Sequence, residues 1–413
     1  MNKAVLFLAL LAPGLASGQQ SGSADTTPAG TVPTSVNFPT ERVQKPTAAD
    51  LYCSGFVSKP LSSKDKFVAG GLESPFTARF VNNDAIYLNG KGYEAGQEYT
   101  VVRELRDTNR YELFKGQWAA LKAYATAKGV KIIGDAPIFV SGDSADVWAN
   151  PELFLLNKDR GQTVEAGVPP DYFSATGQLW GNPIYDWKAV KRTGYAWWIA
   201  RFKMNLTQVD LIRLDHFRGF AAAWHVPAGS ATAVKGEWVP GPGADLFRVL
   251  RRELGALPLI AEDLGVITKD VEKLRDSLGL PGMRVLQFAF SDPNNKYLPH
   301  QYDYNCAVYP GTHDNDTTRG WYAGLTDSER DFVRRYLARD GSDIAWDLIR
   351  QAWSSTADLA IAALQDVLNL GTEARMNMPS KADGNWRWRF NDGELTESIL
   401  ERLAELTVLF GRA

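Results

Sequence analysis

Three stretches, RLDHFRGF (Arg213 to Phe220), LIAEDLG (Leu259 to Gly265) and PGTHDNDT (Pro310 to Thr317), each set a carboxylate just after a short apolar run. Carboxylates arriving at the ends of successive strands can meet in one cleft, where one donates a proton and another attacks, the chemistry of glycoside processing. Other chemistries have weaker claims. The four histidines, His216, His225, His300 and His313, show no HExxH or Cys/His ligand spacing, so no metal is expected. Neither a GxSxG elbow nor a phosphate-binding P-loop occurs.

The elements that must position these acids read as short buried strands. Val209 to Ile212 precedes Arg213 and Asp215, Leu257 to Ala261 precedes Glu262, and Cys306 to Tyr309 precedes His313 and Asp314. Val130 to Ile133 leads in the same way into Gly134 and Asp135, Met283 to Phe290 supplies a further strand, and Leu364 to Leu370 a weaker one. Between them lie helical segments. Phe114, Trp118, Leu121 and Ala125 form an amphipathic stripe that stops at Gly129. Thr268 opens a second helix as its N-cap, with Val271, Leu274 and Leu278 on one face and Gly279 as the stop. Alternating strands and helices suit an α/β barrel or a doubly wound sheet, and both place catalytic residues at strand ends.

The chain has 413 residues, 45% hydrophobic and 23% charged, which fits a globular enzyme with a large core. A formal net charge of −3 and the lack of a basic stripe argue against nucleic acid as a partner. With 13 Trp, 15 Tyr and 19 Phe, aromatics exceed what sugar contacts need, so core packing accounts for most and stacking is reserved for those in loops near the acids.

The N-terminus reads differently. Lys3, the apolar run Ala4 to Ala12 and small residues up to Gly18 look like a secretory leader over 1–18, too short to span a bilayer. Residues 19–50 are rich in Thr, Ser, Pro and Gly and read as a linker. In residues 51–110, Phe76 to Leu88 and Glu98 to Leu105 suggest strands, with Asn89-Gly90 as the turn between them. Cys53 and Cys306 can pair after export, but Cys306 falls in an expected core strand, which favours a buried free thiol.

GDAPIFVSGDSADVWANPELF, AGVPPDYFSATGQLWGNPIYDW, RLDHFRGF, AEDLGVIT, LPGMRVLQFAF, GTHDNDTTRGW and EARMNMPSKADGNWRWR follow one another between about Tyr111 and about Phe390. Together they resemble the 4-α-glucanotransferases called amylomaltases or disproportionating enzymes, glycoside hydrolase family 77 of the α-amylase clan. The resemblance implies an α/β fold of the (β/α)8 TIM barrel type over 111–413. It implies retaining transfer of an α-1,4-glucan segment to another sugar's 4-hydroxyl without a cofactor, acting on maltooligosaccharides, amylose or other α-1,4-glucans. Carried onto this chain, Asp215 is the nucleophile, Glu262 the general acid/base and Asp314 the third carboxylate, with His313 beside it.

These roles make physical demands. Arg213, two residues before Asp215 on a strand, points to the same side and can hold it ionised. Glu262 must keep its proton until the leaving oxygen takes it, and a retaining pair sits about 5 to 5.5 Å apart. Asp135 should support the same subsite. The segment Val168 to Pro183, studded with Pro and Gly, reads as a shaped loop that offers Tyr172, Phe173 and Trp180 for stacking and Asp171 for a hydroxyl.

One feature departs from the family pattern. No family motif is recognisable before Tyr111, where relatives carry the first two barrel strands. A divergent start, a partner or second copy, or a foreign start joined to a shortened enzyme would each account for it, the last being favoured. A leader implies export without a retained membrane anchor, whereas the family implies cytoplasm or plastid. Alternatives of function are a retaining α-glucan hydrolase and a glucan-binding remnant, and the oligomeric state is open.

Overall fold

The computed structural model describes residues 3–4, 66–71, 86–90, 108–170, 174–379, 381, 383–391 and 393–412. The chain divides into two compact units, one of residues 13–117 and one of residues 1–12 with 118–413. The second begins its strand series with β1 (Lys3–Ala4). In the first, β2 (Lys66–Gly71) pairs antiparallel with β3 (Ile86–Gly90), with a register shift between Val68 and Gly70. Asn89 and Gly90 therefore lie inside a strand, opposite Phe67 and Lys66, and are not the expected turn. The dipeptide's turn preference is local, and ladder pairing with an upstream segment overrides it. Glu98 to Leu105 falls outside the described residues, as do Cys53 and the linker.

The larger unit is a (β/α)8-type α/β barrel. Its parallel strands are β4 (Ile133–Pro137), β7 (Leu211–Asp215), β10 (Leu259–Ala261), β11 (Gly282–Val285), β12 (Cys306–Tyr309) and β13 (Leu359–Ala360). Each pairs with or neighbours the next in chain order: β4 with β7, β7 with β10, β11 with β12 and β12 with β13. The Ala261 N–H donates to Pro281 O at 2.9 Å and joins β10 to the β11 side. Of the expected leader only Lys3–Ala4 are described, and they pair in parallel with Leu359–Ala360. Among the described residues β4 has no partner on its other edge.

Alternation along these strands separates two apolar layers. Ile133, Ile260, Met283, Ala307, Tyr309 and Ile361 cluster on one face, joined by Leu211 and Leu359, and form the barrel interior. Ala136, Ile212, Leu214, Leu259 and Ala261 face outward onto Val190, Trp198, Phe202, Leu246, Phe247, Val271 and Leu274 of the surrounding helices. Burial of each Val, Leu, Ile, Met or Phe among them contributes about 1.5 to 3 kcal/mol. Asp210 locks the entry of β4 and β7, accepting from the Ile132 N–H at 2.8 Å and pairing with Lys122 at 2.5 Å.

Helix Thr108–Ala127 turns Trp118, Leu121 and Ala125 of the expected stripe inward or half-inward and ends before Gly129, whose φ of 73° is left-handed. Helix Lys269–Ser277 follows Thr268 and buries Val271 and Leu274. Other expectations shift. The strand expected over Val130 to Ile133 starts only at Ile133, and the run from Met283 leaves extended geometry after Val285 for one 3-10 turn, Leu286–Phe288. Leu364 to Leu370 is not a strand, since Leu364–Val367 is helical and the barrel strand lies earlier, at Leu359–Ala360. The spacing of Leu364, Val367 and Leu368 is i, i+3, i+4, a helical period that a short apolar run conceals.

A four-stranded antiparallel sheet, in order β6-β5-β8-β9, rises between the barrel strands: β5 (Val164–Val168), β6 (Gln178–Pro183), β8 (Ala222–Pro227) and β9 (Glu237–Pro240). Of the expected loop Val168 to Pro183, Val168 ends β5 and Gln178–Pro183 form β6, the two strands of a hairpin, with Val168 opposite Gln178 and Gly167 opposite Leu179. Cys306 is buried, its thiol donates to Asp303 O at 3.1 Å, and burial pushes its pKa up to about 11.

Candidate active site

Alternation brings the acids together. Leu211 faces the barrel interior, so Arg213 and Asp215 follow it on the same side of β7; Ile133 directs Asp135, and Ile260 directs Glu262, in the same way. Asp135 is in register with Arg213 and Ala261 with Leu214, and the Glu262 N–H continues the ladder to Leu214 O at 3.0 Å. Glu262 therefore stands across from Asp215 on the adjoining strand. Adjoining strands lie about 4.8 Å apart, so the two side chains rise from neighbouring strand ends.

Arg213 is the buried cation of this cluster. Its Nη1 donates to both Asp135 oxygens at 2.8 and 2.7 Å, its Nη2 lies 3.0 Å from Asp215 Oδ1, and its Nε approaches Met283 Sδ at 3.4 Å. Burial opposes its charge, but Asp135, Asp215 and Glu262 more than offset this and raise its pKa. Asp135 is pushed up by burial against the pull of Arg213, and His313 acts electrostatically on it from the β12 side.

Glu262 is held by backbone donors at both oxygens, the His216 N–H on Oε2 at 2.7 Å and the Leu264 N–H on Oε1 at 2.8 Å. Burial, and then the charge of Asp215, push its pKa up to about 8 against Arg213 and these two donors. The group thus keeps a proton at neutral pH while remaining fixed in one rotamer.

His313 and Asp314 follow β12. His313 Nε2 lies 3.3 Å from Asp314 Oδ2, Asn377 Nδ2 donates to Asp314 Oδ1 at 2.6 Å, and Arg375 Nη2 donates to Asp314 O at 2.8 Å. The Asn377 N–H donates to His313 O at 3.1 Å, and the Trp386 ring lies 5.2 Å from the imidazole. Arg375, Asn377 and Trp386 therefore surround the His313–Asp314 pair. They belong to the expected EARMNMPSKADGNWRWR motif, in which sequence reading singled out no individual residue.

Trp180 is part-buried in β6 and meets the His216 ring edge-on at 4.6 Å and 88°, beside Phe139. His216 adopts φ 50° and ψ 51°; burial takes its imidazole pKa down to about 4, and its buried Nε2 has no hydrogen-bond partner among the described residues. Sequence reading passed over His216 although it directly follows Asp215. Asp171, Tyr172 and Phe173 lie outside the described residues. A cavity of about 410 Å³ lies elsewhere, beside Trp346, Arg350 and Arg402, and none of these acids lines it. Among the described residues no group of three His, Cys, Asp or Glu is placed to hold a metal ion, and no helix is long and apolar enough to cross a membrane.

Comparison with known proteins agrees with this geometry. The sequence profile of glycoside hydrolase family 77, described as 4-alpha-glucanotransferase, matches residues 108–396. A 4-alpha-glucanotransferase of Synechocystis sp. is 54% identical over 301 residues, covering 72% of this chain and 60% of the relative. One from Thermus thermophilus is 52% identical, covering 71% and 61%. The structure of Streptococcus agalactiae amylomaltase in complex with acarbose superposes with a TM-score of 0.71 at 41% identity, covering 73% of this chain and 62% of that one. The chain thus spans about three-fifths of the length of these relatives. With its strand-end acids in register and the profile running through every motif that carries them, the chain belongs to the 4-alpha-glucanotransferases of glycoside hydrolase family 77.

Proposed function

We propose that the protein is a 4-alpha-glucanotransferase that moves a segment of an α-1,4-glucan, such as a maltooligosaccharide or amylose, to the 4-hydroxyl of an acceptor sugar. Asp215 attacks the anomeric carbon while Glu262 passes its proton to the leaving glycosidic oxygen, leaving a β-linked glycosyl-enzyme and a shortened sugar. Glu262, now a carboxylate, takes the proton of the acceptor's 4-hydroxyl as that oxygen displaces Asp215, and two inversions give net retention. The observation that supports this most is the contrast between the neighbours: Arg213 contacts Asp215 directly, while burial lifts Glu262 to about 8.

Asp314, His313 and Asn377 offer hydrogen bonds to the sugar being flattened, which accelerate reaction insofar as they tighten in the transition state. Asp135 sets Arg213 in place from the adjoining strand. Trp180, Tyr172 and Phe173 supply stacking faces on the Val168 to Pro183 segment and Asp171 a hydroxyl contact, so that a sugar acceptor is favoured over water. Export under a leader over residues 1–18 rests on sequence alone, and one relative is named a chloroplastic/amyloplastic enzyme of Arabidopsis thaliana.

The test is incubation of purified protein and its Asp215→Asn variant with maltotriose, with chromatography of the products. Glucose together with longer oligomers from the wild type and none from the variant is the expected result. Reducing-end hydrolysis products alone would replace transferase by hydrolase, and binding without turnover would leave a glucan-binding protein.

A further inference from the structure

We propose that His216 is a positioning residue that couples the acid/base Glu262 to the aromatic wall at Trp180. The inference rests on the reading of Glu262 given above and extends it to a residue with no assigned role.

Two halves of His216 do different work. Its backbone adopts a left-handed conformation, φ 50° and ψ 51°, which few residues other than Gly enter and which His, Asn and Asp tolerate best. The next turn closes on it, the Gly219 N–H donating to His216 O at 2.9 Å. That conformation turns the His216 N–H onto Glu262 Oε2 at 2.7 Å, so the residue after the nucleophile fixes the proton donor on the next strand.

The imidazole faces the other way. It meets Trp180 edge-on at 4.6 Å and Phe139 at 6.2 Å. Gly219 leaves room for it, since a Cβ there would come within 3.1 Å of His216 Cδ2 and 2.8 Å of Ile138 Cδ1. The ring is thus held by packing against Trp180, Phe139 and the Gly219 turn. The charges facing His216 are Asp215 and Arg218, those facing Glu262 are Asp215 and Arg213, and Trp180 and Phe139 bring none. A sugar pressing on Trp180 is therefore transmitted through a rigid ring to the backbone donor of the acid.

The test uses the full chain with maltotriose and the variants H216G, H216A, H216N and W180A, each alone, and H216G combined with W180A. Gly and Asn enter the left-handed region, whereas Ala resists it, so H216G and H216N should keep the alkaline limb of the pH–rate profile. H216A, which lacks the ring like H216G, should move that limb by at least about half a pH unit. Loss of the ring in H216G should lower the ratio of transfer to hydrolysis by about threefold or more, and W180A should add nothing further in the double variant. Circular dichroism of each variant confirms the fold. Identical limbs in H216A and H216G, or effects of H216G and W180A that multiply, would overturn the coupling. A wild type that makes no longer oligomers would instead overturn the transferase reading, and the coupling with it.

Discussion

Replacing Glu262 with Gln tests the electrostatics of the site through stability as well as activity. The glutamate's pKa rises from an ordinary 4.5 to about 8, chiefly by burial and then by the charge of Asp215. At 1.36 kcal/mol per tenfold change in proton affinity, that rise amounts to about 5 kcal/mol. The sign follows from proton counting. Between pH 4.5 and 8 the folded chain holds a proton that the unfolded chain has released, so unfolding is favoured as pH rises. The contribution is absent below pH 4.5, grows through that window and levels off above about pH 8. Gln does not titrate and lacks this slope. It cannot accept at both positions, however, and places an NH₂ against the His216 or Leu264 N–H, an offset of about 1 to 3 kcal/mol that does not vary with pH. The slope, not the offset, is diagnostic. Urea unfolding of both proteins followed by tryptophan fluorescence from pH 4 to 9 should show the variant gaining on the wild type by several kcal/mol toward pH 8, while transfer is lost. A difference that stays flat across that range would refute a buried, proton-retaining Glu262.

Other consequences are simpler to state. Arg213→Met leaves Asp135 and Asp215 facing each other without their cation; it should cost about 2 to 3 kcal/mol at pH 8, the low end for a broken pair because Asp215 keeps access to water, and less at pH 4, by chemical denaturation at both. Arg213→Lys, with one point charge in place of a fork, should still lower kcat by about a hundredfold or more in the maltotriose assay. Asp366 is pushed up to about 6 by burial behind Thr318, whose N–H it accepts at 2.7 Å. It should therefore cost about 3 kcal/mol of stability as pH rises from 4 through 6, a slope that Asp366→Asn should abolish in thermal melts.

The order of the acids was open to reading along the chain because parallel strands are local objects. A brief aliphatic run followed by Asp or Glu means the same thing wherever it is met, and the parity of Arg213 and Asp215 follows from the two-residue period of a strand. The helix over 108–127 was legible for a similar reason, the stop at Gly129 lying two residues past its end and its Trp118, Leu121 and Ala125 within it. What failed was tied to partners at a distance. Asn89-Gly90 met an upstream strand, and Leu364 to Leu370 kept a helical spacing that a short window does not separate from a buried strand. The loop after Val168 runs into β6, and the β5–β6 hairpin is extended by β8, more than fifty residues on, pairing with β5.

By itself, the amino-acid sequence determined which side chains reach the ends of the strands, and in what order: Asp135, then Arg213 with Asp215, Glu262, and His313 with Asp314. Tertiary structure decided what each of them is there. Arg213 bridges Asp135 and Asp215 because β4 lies in register beside β7, and Glu262 is pushed up to about 8 because folding removes water around it and sets it across from Asp215. His216 acquires its contacts only when its left-handed backbone and the Trp180 hairpin meet. Covalent order and side-chain period are properties of the chain, whereas proton affinity and orientation depend on solvent exclusion and on neighbours tens of residues away, which exist only once the strands and helices have packed around them.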